Sequence, residues 1–512
     1  MNQLTRTARS RLNAFVLDRR TRACAAATAI FGALSYLYLF LNEINNNDMI
    51  SCLPEGYGTG LSSGRWLLSV LGTVDRALWG VYNVPMLNGL LALVLLALTS
   101  AVLVRALGIV SPRLSFALAA VTASAAPIAS LMLFQFTVHY YALALLLIAC
   151  AARLTRSRRL PALLCAALAG ACSLGIYQAY FPFLAVVLLL MLLGACLERE
   201  RTPKELLLFA LRCLGVLAAS YLLYRLVLQG FLVLFGASLS DYQGMSAMGS
   251  LSLRSIPHAY AEFFRLTTRK MYGFNETGFV RAMILLLLLV SGGALALAWR
   301  DRPTKLLLGL AALALIPLAA NAFLVLAPGS TVYTRMCMGL TAVFYLPLVI
   351  VDRLSFPRPR IKKCAVLGVT ALLLLTCVNY AWQSNGNYRF EYYANRKAEN
   401  YFSAMLARIR SAEGYRDGME IVFVGDTITD AAFQDNWLTA PFHYSGVVGA
   451  QSQLNQYSRP AFFANYFGFS VRQISPEEAD ACAETIAQMT CYPDSGSILV
   501  ADGRVLVKLE QP

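Results

Sequence analysis

A polar stretch at residues 42–66, NEINNNDMISCLPEGYGTGLSSGRW, combines the residue types that a group-transfer reaction requires. Asp48 is the candidate catalytic base, since a base must take the proton of an attacking hydroxyl. Arg65 carries a guanidinium fork that suits phosphate oxygens, and the glycines of GYGTG permit close backbone approach to a ligand. The stretch predicts transfer chemistry at Asp48 beside Arg65. The simpler alternative is that both side chains only face lipid headgroups.

The rest of the chain predicts a membrane scaffold for this stretch. Of its 512 residues, 58% are hydrophobic and 14% are charged. Apolar runs of about 20 residues recur, and each is long enough to cross ~30 Å of hydrocarbon. The basic start, followed by an apolar run without a small-residue cleavage site, predicts an uncleaved first span. The fold class is a polytopic α-helical membrane protein with about eleven transmembrane helices. The predicted spans are 23–41, 84–104, 114–132, 138–152, 161–177, 181–197, 206–236, 277–298, 304–327, 335–351 and 363–383.

The basic residues predict the orientation of these spans. Lys and Arg recur in every second connection, beginning with the N-terminal segment, as expected for cytoplasmic loops. The termini are then N-in and C-out, so residues 42–66 lie outside the cytoplasm. The net charge of +15 is therefore a topology signal. A nucleic-acid partner is not predicted, because the basic residues are not gathered into one domain with interleaved aromatics.

Two further outer segments and a C-terminal domain complete the predicted organisation. Residues 67–82 have helical apolar periodicity and predict an interfacial helix, and residues 237–276 form a long outer loop. Residues 1–383 constitute the transmembrane catalytic domain, and 384–512 a small extracytoplasmic α/β domain. Within the latter, 420–426 predicts a buried strand, 475–489 a Ser-capped helix, and 497–509 two strands around Asp502-Gly503.

Further polar residues at the outer level are candidates for binding. An arginine inside a span is a functional hypothesis by default, although snorkelling or helix pairing would also explain it. Ring-bearing residues at this depth also populate ordinary aromatic belts, and a histidine is often structural. The candidate phosphate-binding cations besides Arg65 are Arg225, Arg269, Lys270 and Arg335. The candidate sugar-binding or acceptor-binding residues are Glu43, Tyr57, His139, Tyr140, Gln178 and His258.

The cysteines predict one disulfide and no metal site. Most of the twelve cysteines lie in or beside spans, where cysteine behaves as a small apolar residue. Cys482 and Cys491 are alone in the outer domain, which predicts a disulfide between them in an oxidising compartment. No CxxC, HExxH or Cys/His cluster indicates a structural zinc, and we predict no cofactor, with dependence on a divalent metal left open.

NNND followed by EGYGTGLSSGRW, between a first span and an interfacial helix, resembles the bacterial serotype-converting O-antigen glucosyltransferases of the glucosyltransferase II type. That family belongs to the GT-C class of polytopic glycosyltransferases. The family commonly has an acidic pair in this loop. Asn47 replaces its first member here, so only Asp48 is carried over, and the case for a metal held by such a pair is weakened. The ending CYPDSGSILVADGRVLVKL is also similar to that of the family.

The resemblance implies an inverting glycosyltransferase that moves a sugar from a polyprenyl-phosphate donor to an O-antigen or other surface polysaccharide. Glucose is the sugar expected. The reaction would occur at the periplasmic side of the bacterial inner membrane. The implied partners are the lipid-linked donor, the acceptor glycan, the bilayer, and the synthase and flippase that supply the donor. In that mechanism Asp48 is the base and Arg65 binds phosphate.

Two alternatives stay open at this point. A flippase or transporter of lipid-linked sugars would also need many spans and a polar cavity, although internal repeats and broken midplane helices are its usual marks. Within a transferase, the C-terminal domain either recognises the acceptor or recruits the proteins that supply the donor.

Overall fold

A computed structural model describes residues 10, 13–44, 47–52, 60–80, 84–198, 200–240, 252–268, 278–299, 303–328, 332–426 and 456–510. This part of the chain is mostly helical, with a small sheet near the C-terminus. The helices are α1 Arg19–Leu41, α2 Asn47–Cys52, α3 Trp66–Trp79, α4 Pro85–Leu107, α5 Pro112–Ser124, α6 Ala126–Met132, α7 Val138–Thr155, α8 Leu160–Ile176, α9 Phe181–Leu197, α10 Pro203–Leu234, α11 Ile256–Thr268, α12 Gly278–Trp299, α13 Pro303–Ala320, α14 Phe323–Leu326, α15 Met338–Ala342, α16 Leu346–Arg353, α17 Pro359–Arg410, α18 Arg459–Phe467, α19 Pro476–Ala481 and α20 Ala483–Gln488. The strands are β1 Glu420–Val424, β2 Val471–Gln473, β3 Ile498–Ala501 and β4 Arg504–Lys508.

Apolar helices long enough to cross a membrane dominate the first three quarters of the chain. Within the described residues, six helices meet this requirement by length and composition, and the bent pair α5–α6 makes a seventh. Each of the eleven predicted spans coincides with a helical segment, but several of these segments are short or broken. The predicted span 335–351, for example, is divided among two 3₁₀ turns, α15 and α16. Several apolar helices therefore indicate a membrane protein. Among the described residues, fewer helices qualify as spans by length and composition than the eleven predicted.

The charged connections predicted to be cytoplasmic gather on one face of the helical bundle, the arginine-rich face. At α1, Asp18 caps the helix and accepts from Arg20 at 2.7 Å and Arg105 at 2.9 Å. At the end of α9, Glu198 pairs with Arg201 at 2.5 Å and with Arg353. The Asp18–Arg105 and Glu198–Arg353 pairs join distant parts of the sequence, so they fix helix ends to one another. The connections at 105–113, 198–205 and 352–363 thus share this face.

The C-terminal unit is joined to the bundle by an uninterrupted helix. α17 continues to Arg410, well beyond the domain boundary predicted at 383, so residues 384–410 belong to this helix. A four-stranded sheet of order β2-β1-β4-β3 follows, in which β1 is parallel to both of its neighbours. The buried strand predicted at 420–426 is β1, and β3 and β4 form the predicted hairpin at Asp502-Gly503, where both residues have positive φ.

Two local predictions in this unit need correction. The single helix predicted at 475–489 begins at the predicted Ser475 cap, but it is divided into α19 and α20 at Cys482. Cys482 and Cys491 are both free cysteines, so the predicted disulfide is not formed in the structure. The sulfur of Cys482 instead accepts a hydrogen bond from Arg504 on β4 at 3.3 Å.

Replacing Glu198 should test how strongly the arginine-rich face holds the bundle together. Glu198→Gln removes the charge shared by two part-buried arginines, and hydrogen bonds to charged groups contribute about 1.5–3 kcal/mol each. We expect a lower Tm for the detergent-purified protein. Glu399→Gln is the control, because its pairing with Arg396 is an exposed i,i+3 contact worth about 0–1 kcal/mol. Equal melting of the two variants would contradict the prediction.

Candidate active site

Asp48 lies on α2, a six-residue helix that joins two hydrophobic cores. Met49 is fully buried in the core of the helical bundle, whereas Ile50 is fully buried in the core that α17 shares with the C-terminal sheet. α18 also packs against α2. Asp48 itself is exposed. The two neighbouring apolar side chains therefore anchor the short helix from both sides and leave the carboxylate accessible.

The charge environment of Asp48 connects it with two arginines. Although Asp48 is exposed at its surface, the protein packed around it removes part of the hydration of its carboxylate, which raises its pKa above the usual aspartate value; the positive charges of Arg335 and Arg65 oppose this rise. Asp48, Arg65 and Arg335 are thus electrostatic neighbours, and together with Tyr141 and Tyr177, which contact Arg65, we call them the arginine recess.

A 3₁₀ turn, Leu61–Ser63, sets the backbone that leads into Arg65. Three consecutive carbonyl oxygens of this turn each accept a hydrogen bond from a distant part of the chain. They are Ser62 O from the Ser240 N–H at 3.0 Å, Ser63 O from Gln178 Nε2 at 2.8 Å, and Gly64 O from the Tyr224 hydroxyl at 3.1 Å. Gly64 ends the turn at φ 70°, in the left-handed region that favours glycine. The path into Arg65 is therefore fixed by tertiary contacts.

Trp66 holds the other side of Arg65. Its ring lies against the Cα of Gly175 on α8, where an added Cβ would come within 2.5 Å of the ring. Phe231 of α10 packs on the same ring at a centroid distance of 5.5 Å. Only glycine at position 175 allows this approach, so α8 and α10 together fix the start of α3.

Arg65 extends from this support over a group of tyrosines. Its Nη1 donates to the hydroxyl of Tyr141 at 3.3 Å, and its guanidinium lies 5.3 Å from the ring centroid of Tyr177. The Tyr141 and Tyr177 rings are 4.7 Å apart, and Tyr177 meets Tyr180 edge-on at 5.0 Å. Such cation–π contacts help to hold a guanidinium in place.

Arg335 enters the recess from a different part of the chain. It lies on the 3₁₀ turn Thr334–Met336, which packs against α6. Its guanidinium is 4.8 Å from the ring of Phe134 and 4.4 Å from that of Tyr333. Two guanidiniums from distant segments of the sequence therefore lie within electrostatic range of the Asp48 carboxylate.

A second polar cluster lies beside the tyrosines. The Tyr140 hydroxyl donates to Asp75 Oδ2 at 2.6 Å, and the ring of His139 lies 3.8 Å from that of Tyr140. His139 is buried, and its Nδ1 has no hydrogen-bond partner among the described residues. Sequence analysis missed Asp75 as a candidate. Its position on the polar face of an otherwise apolar helix was the available signal.

The other candidate residues divide into three groups. Gln178 stabilises the turn at Ser63, because its Nε2 donates to the Ser63 carbonyl and also to the Tyr224 hydroxyl at 3.1 Å. Arg225 is half-buried beside Tyr224, and Glu43 is exposed at φ 47° between α1 and α2. His258 is exposed on α11, where Nδ1 lies 3.9 Å from Glu262. Tyr57, Arg269 and Lys270 lie outside the described residues.

A buried carboxyl group lies on α17, the long helix that shares a hydrophobic core with α2. Glu391 of α17 is fully buried, and neither of its oxygens has a hydrogen-bond partner within the described parts of the chain. Ala394 and Ala398, one and two helical turns further on, belong to the core that includes Ile50. Sequence analysis missed Glu391 because it assigned this region to a soluble domain, where a glutamate is ordinarily exposed.

Comparison with known protein families gives one match, to the family described as glucosyl transferase GtrII, over residues 37–351. The matched range includes Asp48, the Arg65 turn, the Asp75 cluster and Arg335. Comparisons with curated proteins and with solved structures gave no match.

Enlarging Gly175 should disturb the arginine recess from outside. Gly175→Ala would place a methyl group against the Trp66 ring, and overpacking of this kind costs about 1–3 kcal/mol. We expect a lower Tm and altered tryptophan fluorescence. Gly215→Ala on α10 is the matched control, because an added Cβ there meets nothing within 4 Å. Wild-type melting and fluorescence in Gly175→Ala would show that this contact does not fix the turn.

Proposed function

Because the chain belongs to the glucosyl transferase GtrII family, we propose that it transfers glucose from a polyprenyl-phosphate donor to an O-antigen or other surface polysaccharide, with inversion at the anomeric carbon. Glucosyltransferase activity follows from the family, and such an activity requires a sugar donor and an acceptor. The lipid carrier, the acceptor and the membrane side belong to the proposal. The observation that supports it is an accessible carboxylate within electrostatic range of two guanidiniums.

Asp48 is the proposed general base. It takes the proton of the acceptor hydroxyl as the hydroxyl oxygen forms a bond to the anomeric carbon. The bond from that carbon to the donor phosphate oxygen breaks, and its electron pair leaves with the polyprenyl phosphate. A base with a raised pKa is better matched to this proton than an ordinary aspartate would be. One proton moves to Asp48, one bond to the anomeric carbon forms and one breaks, so the reaction is balanced.

Arg65 and Arg335 are the proposed phosphate ligands. Negative charge grows on the phosphate as the glycosidic bond breaks, and fixed positive groups stabilise it without reorganisation. Both guanidiniums are held over aromatic rings, so they are in place before the donor binds. Guanidinium forks also match phosphate oxygens better than ammonium groups do.

The cluster of Asp75, Tyr140 and His139 is proposed to bind the acceptor glycan. A carboxylate, a phenol and an imidazole supply both donors and acceptors for sugar hydroxyls. The short bond between Tyr140 and Asp75 fixes the two groups relative to each other. Glu43, in the connection between α1 and α2, is proposed to contribute at the recess rim.

The recess is proposed to face the periplasm. α1 begins at the arginine-rich face and ends beside α2, so Asp48 lies at the opposite end of the bundle from Arg20 and Arg105. Basic connections remain in the cytoplasm of bacterial inner-membrane proteins. The apolar residues Val74, Leu78 and Trp79 of α3 are exposed, as expected for a helix resting in the interface.

Transport of a lipid-linked sugar is the less favoured function. The polar groups of the recess are concentrated at one end of the bundle, whereas transporter sites lie near the bilayer midplane between related repeats. The proposed base also has no role in translocation alone. The close packing of Ile50 with the C-terminal core supports acceptor recognition by that unit beside Asp48 more than distant recruitment of partners.

Asp48→Asn tests the base directly. Transfer of glucose from undecaprenyl phosphoglucose should fall by about 10²–10⁴-fold, the usual contribution of a general base. Because the folded state raises the pKa of Asp48, the ionised carboxylate weakens the fold above that pKa, so the Tm at neutral pH should stay equal or rise. Asp480→Asn, an exposed aspartate on α19, should retain both activity and Tm. Wild-type transfer in Asp48→Asn would reject the mechanism.

The pH profile tests the link between Asp48 and Arg335. The base works only when ionised, so kcat/KM should fall as the pH drops through an apparent pKa above the usual aspartate value of about 3.9. Since Arg335 lowers the pKa of Asp48, Arg335→Gln should move this acidic limb to higher pH as well as reducing kcat/KM. If the acidic limb of Arg335→Gln stayed at the wild-type pH, the group that titrates would not be Asp48 beside Arg335.

A further inference from the structure

An apolar groove runs along the helical bundle between α9, α10 and α13. Its volume is about 360 Å³, within the ~300–1,000 Å³ typical of small-ligand sites. α9 forms its floor and packs against the two helices that flank it. The lining is hydrocarbon apart from one cysteine, and includes Phe181, Leu188, Leu192, Ala210, Leu214 and Leu315. A groove without polar groups would bind a hydrocarbon ligand.

The groove is open on the side that faces the bilayer. Its walls contain Leu211, Leu214 and Leu315, which are 55%, 62% and 47% exposed. Along α9 it extends from Phe181 to Leu192, which is about 17 Å at 1.5 Å per residue. A long chain could therefore enter sideways from the membrane, without passing through the recess.

One end of the groove adjoins the arginine recess. Phe181 lines the groove and also packs in the cluster that contains Trp66, the residue after Arg65. Across the groove, the end of α13 meets α15, since a Cβ on Gly339 would lie 2.8 Å from both Ala320 O and Pro182 Cβ. α15 follows the turn that carries Arg335. Both arginines are thus supplied by segments packed around this end.

A cationic recess joined to a hydrocarbon groove matches one kind of ligand, an anionic head on a long apolar chain. We propose that the groove binds the polyprenyl chain of the donor, with its first isoprene units at Phe181 and later units passing Ala210. This rests on the proposed function and extends it, because it assigns the part of the protein that distinguishes a lipid-linked donor from a soluble sugar phosphate. A bilayer phospholipid chain is the competing occupant.

Filling the groove at Ala210 tests the assignment. Ala210→Leu and Ala210→Phe place hydrocarbon where the later isoprene units would lie, at the end of the groove away from Phe181. For undecaprenyl phosphoglucose we expect KM to rise by about tenfold or more, with little change in kcat. For geranyl phosphoglucose, whose short chain ends before Ala210, KM and kcat should stay at wild-type values. Ala218→Leu, an exposed position on the same helix outside the lining, should behave as wild type with both donors.

The two donors separate failure of this proposal from failure of the proposed function. If the wild-type protein uses neither polyprenyl donor, the proposed donor class is wrong. If the wild type uses both and Ala210→Phe leaves both KM values unchanged, the chain lies elsewhere. An equal loss of activity with both donors would also overturn the proposal. It would indicate that the substitution distorts the arginine recess and that the length of the donor chain has no effect.

Photolabelling identifies the source of the hydrocarbon. A diazirine-bearing farnesyl phosphate should label the wild-type peptide that contains Leu214, and undecaprenyl phosphate should compete with it. Phosphatidylglycerol at the same mole fraction should not compete. Equal competition by phosphatidylglycerol, or labelling that persists unchanged in Ala210→Phe, would show an ordinary lipid site and overturn the proposal.

Discussion

The hydrogen bonding of the Leu61–Gly64 turn is the constraint on which the candidate site depends. Three carbonyls in succession are held by Ser240, Gln178 and Tyr224, so one short turn ties together the segment after α10, the α8–α9 connection and α10 itself. A carbonyl buried without a hydrogen-bond donor costs about 1–3 kcal/mol. In this turn all three carbonyls accept a hydrogen bond, immediately before Arg65. The direction of Arg65 is a consequence of this bonding.

α2 performs a corresponding role for Asp48. A helix of six residues is too short to be stable by itself, and its conformation depends on Met49 and Ile50 being buried in two different cores. The bundle and the C-terminal unit therefore both determine where the carboxylate lies. The continuity of α17 across the predicted boundary gives the C-terminal unit a fixed attachment, which explains how a peripheral sheet can contribute to a site at the membrane.

Charged side chains have different partners at the two ends of the bundle. At the arginine-rich face, cations are paired with Asp18 and Glu198 and join helix ends. In the arginine recess, the guanidiniums of Arg65 and Arg335 lie over aromatic rings. Arginine is thus held by carboxylates at one end of the bundle and packs on aromatic rings at the other.

Much of this protein is determined by the sequence alone. Apolar length and the placement of basic residues predicted helical segments at every proposed span, and local patterns predicted β1, the Asp502-Gly503 hairpin and the Ser475 cap, because such features depend on neighbouring residues. The polar stretch around Asp48 and Arg65 was also recognisable by residue type and by its resemblance to a family that the comparison then matched. Only the tertiary structure decided that Gln178 supports a turn, that Arg335 rather than His258 enters the recess, that Asp75 pairs with Tyr140, and that Cys482 faces Arg504. Each of these depends on contacts between segments far apart in the chain, and the periodicity of a single helix does not specify which partner its polar residues meet.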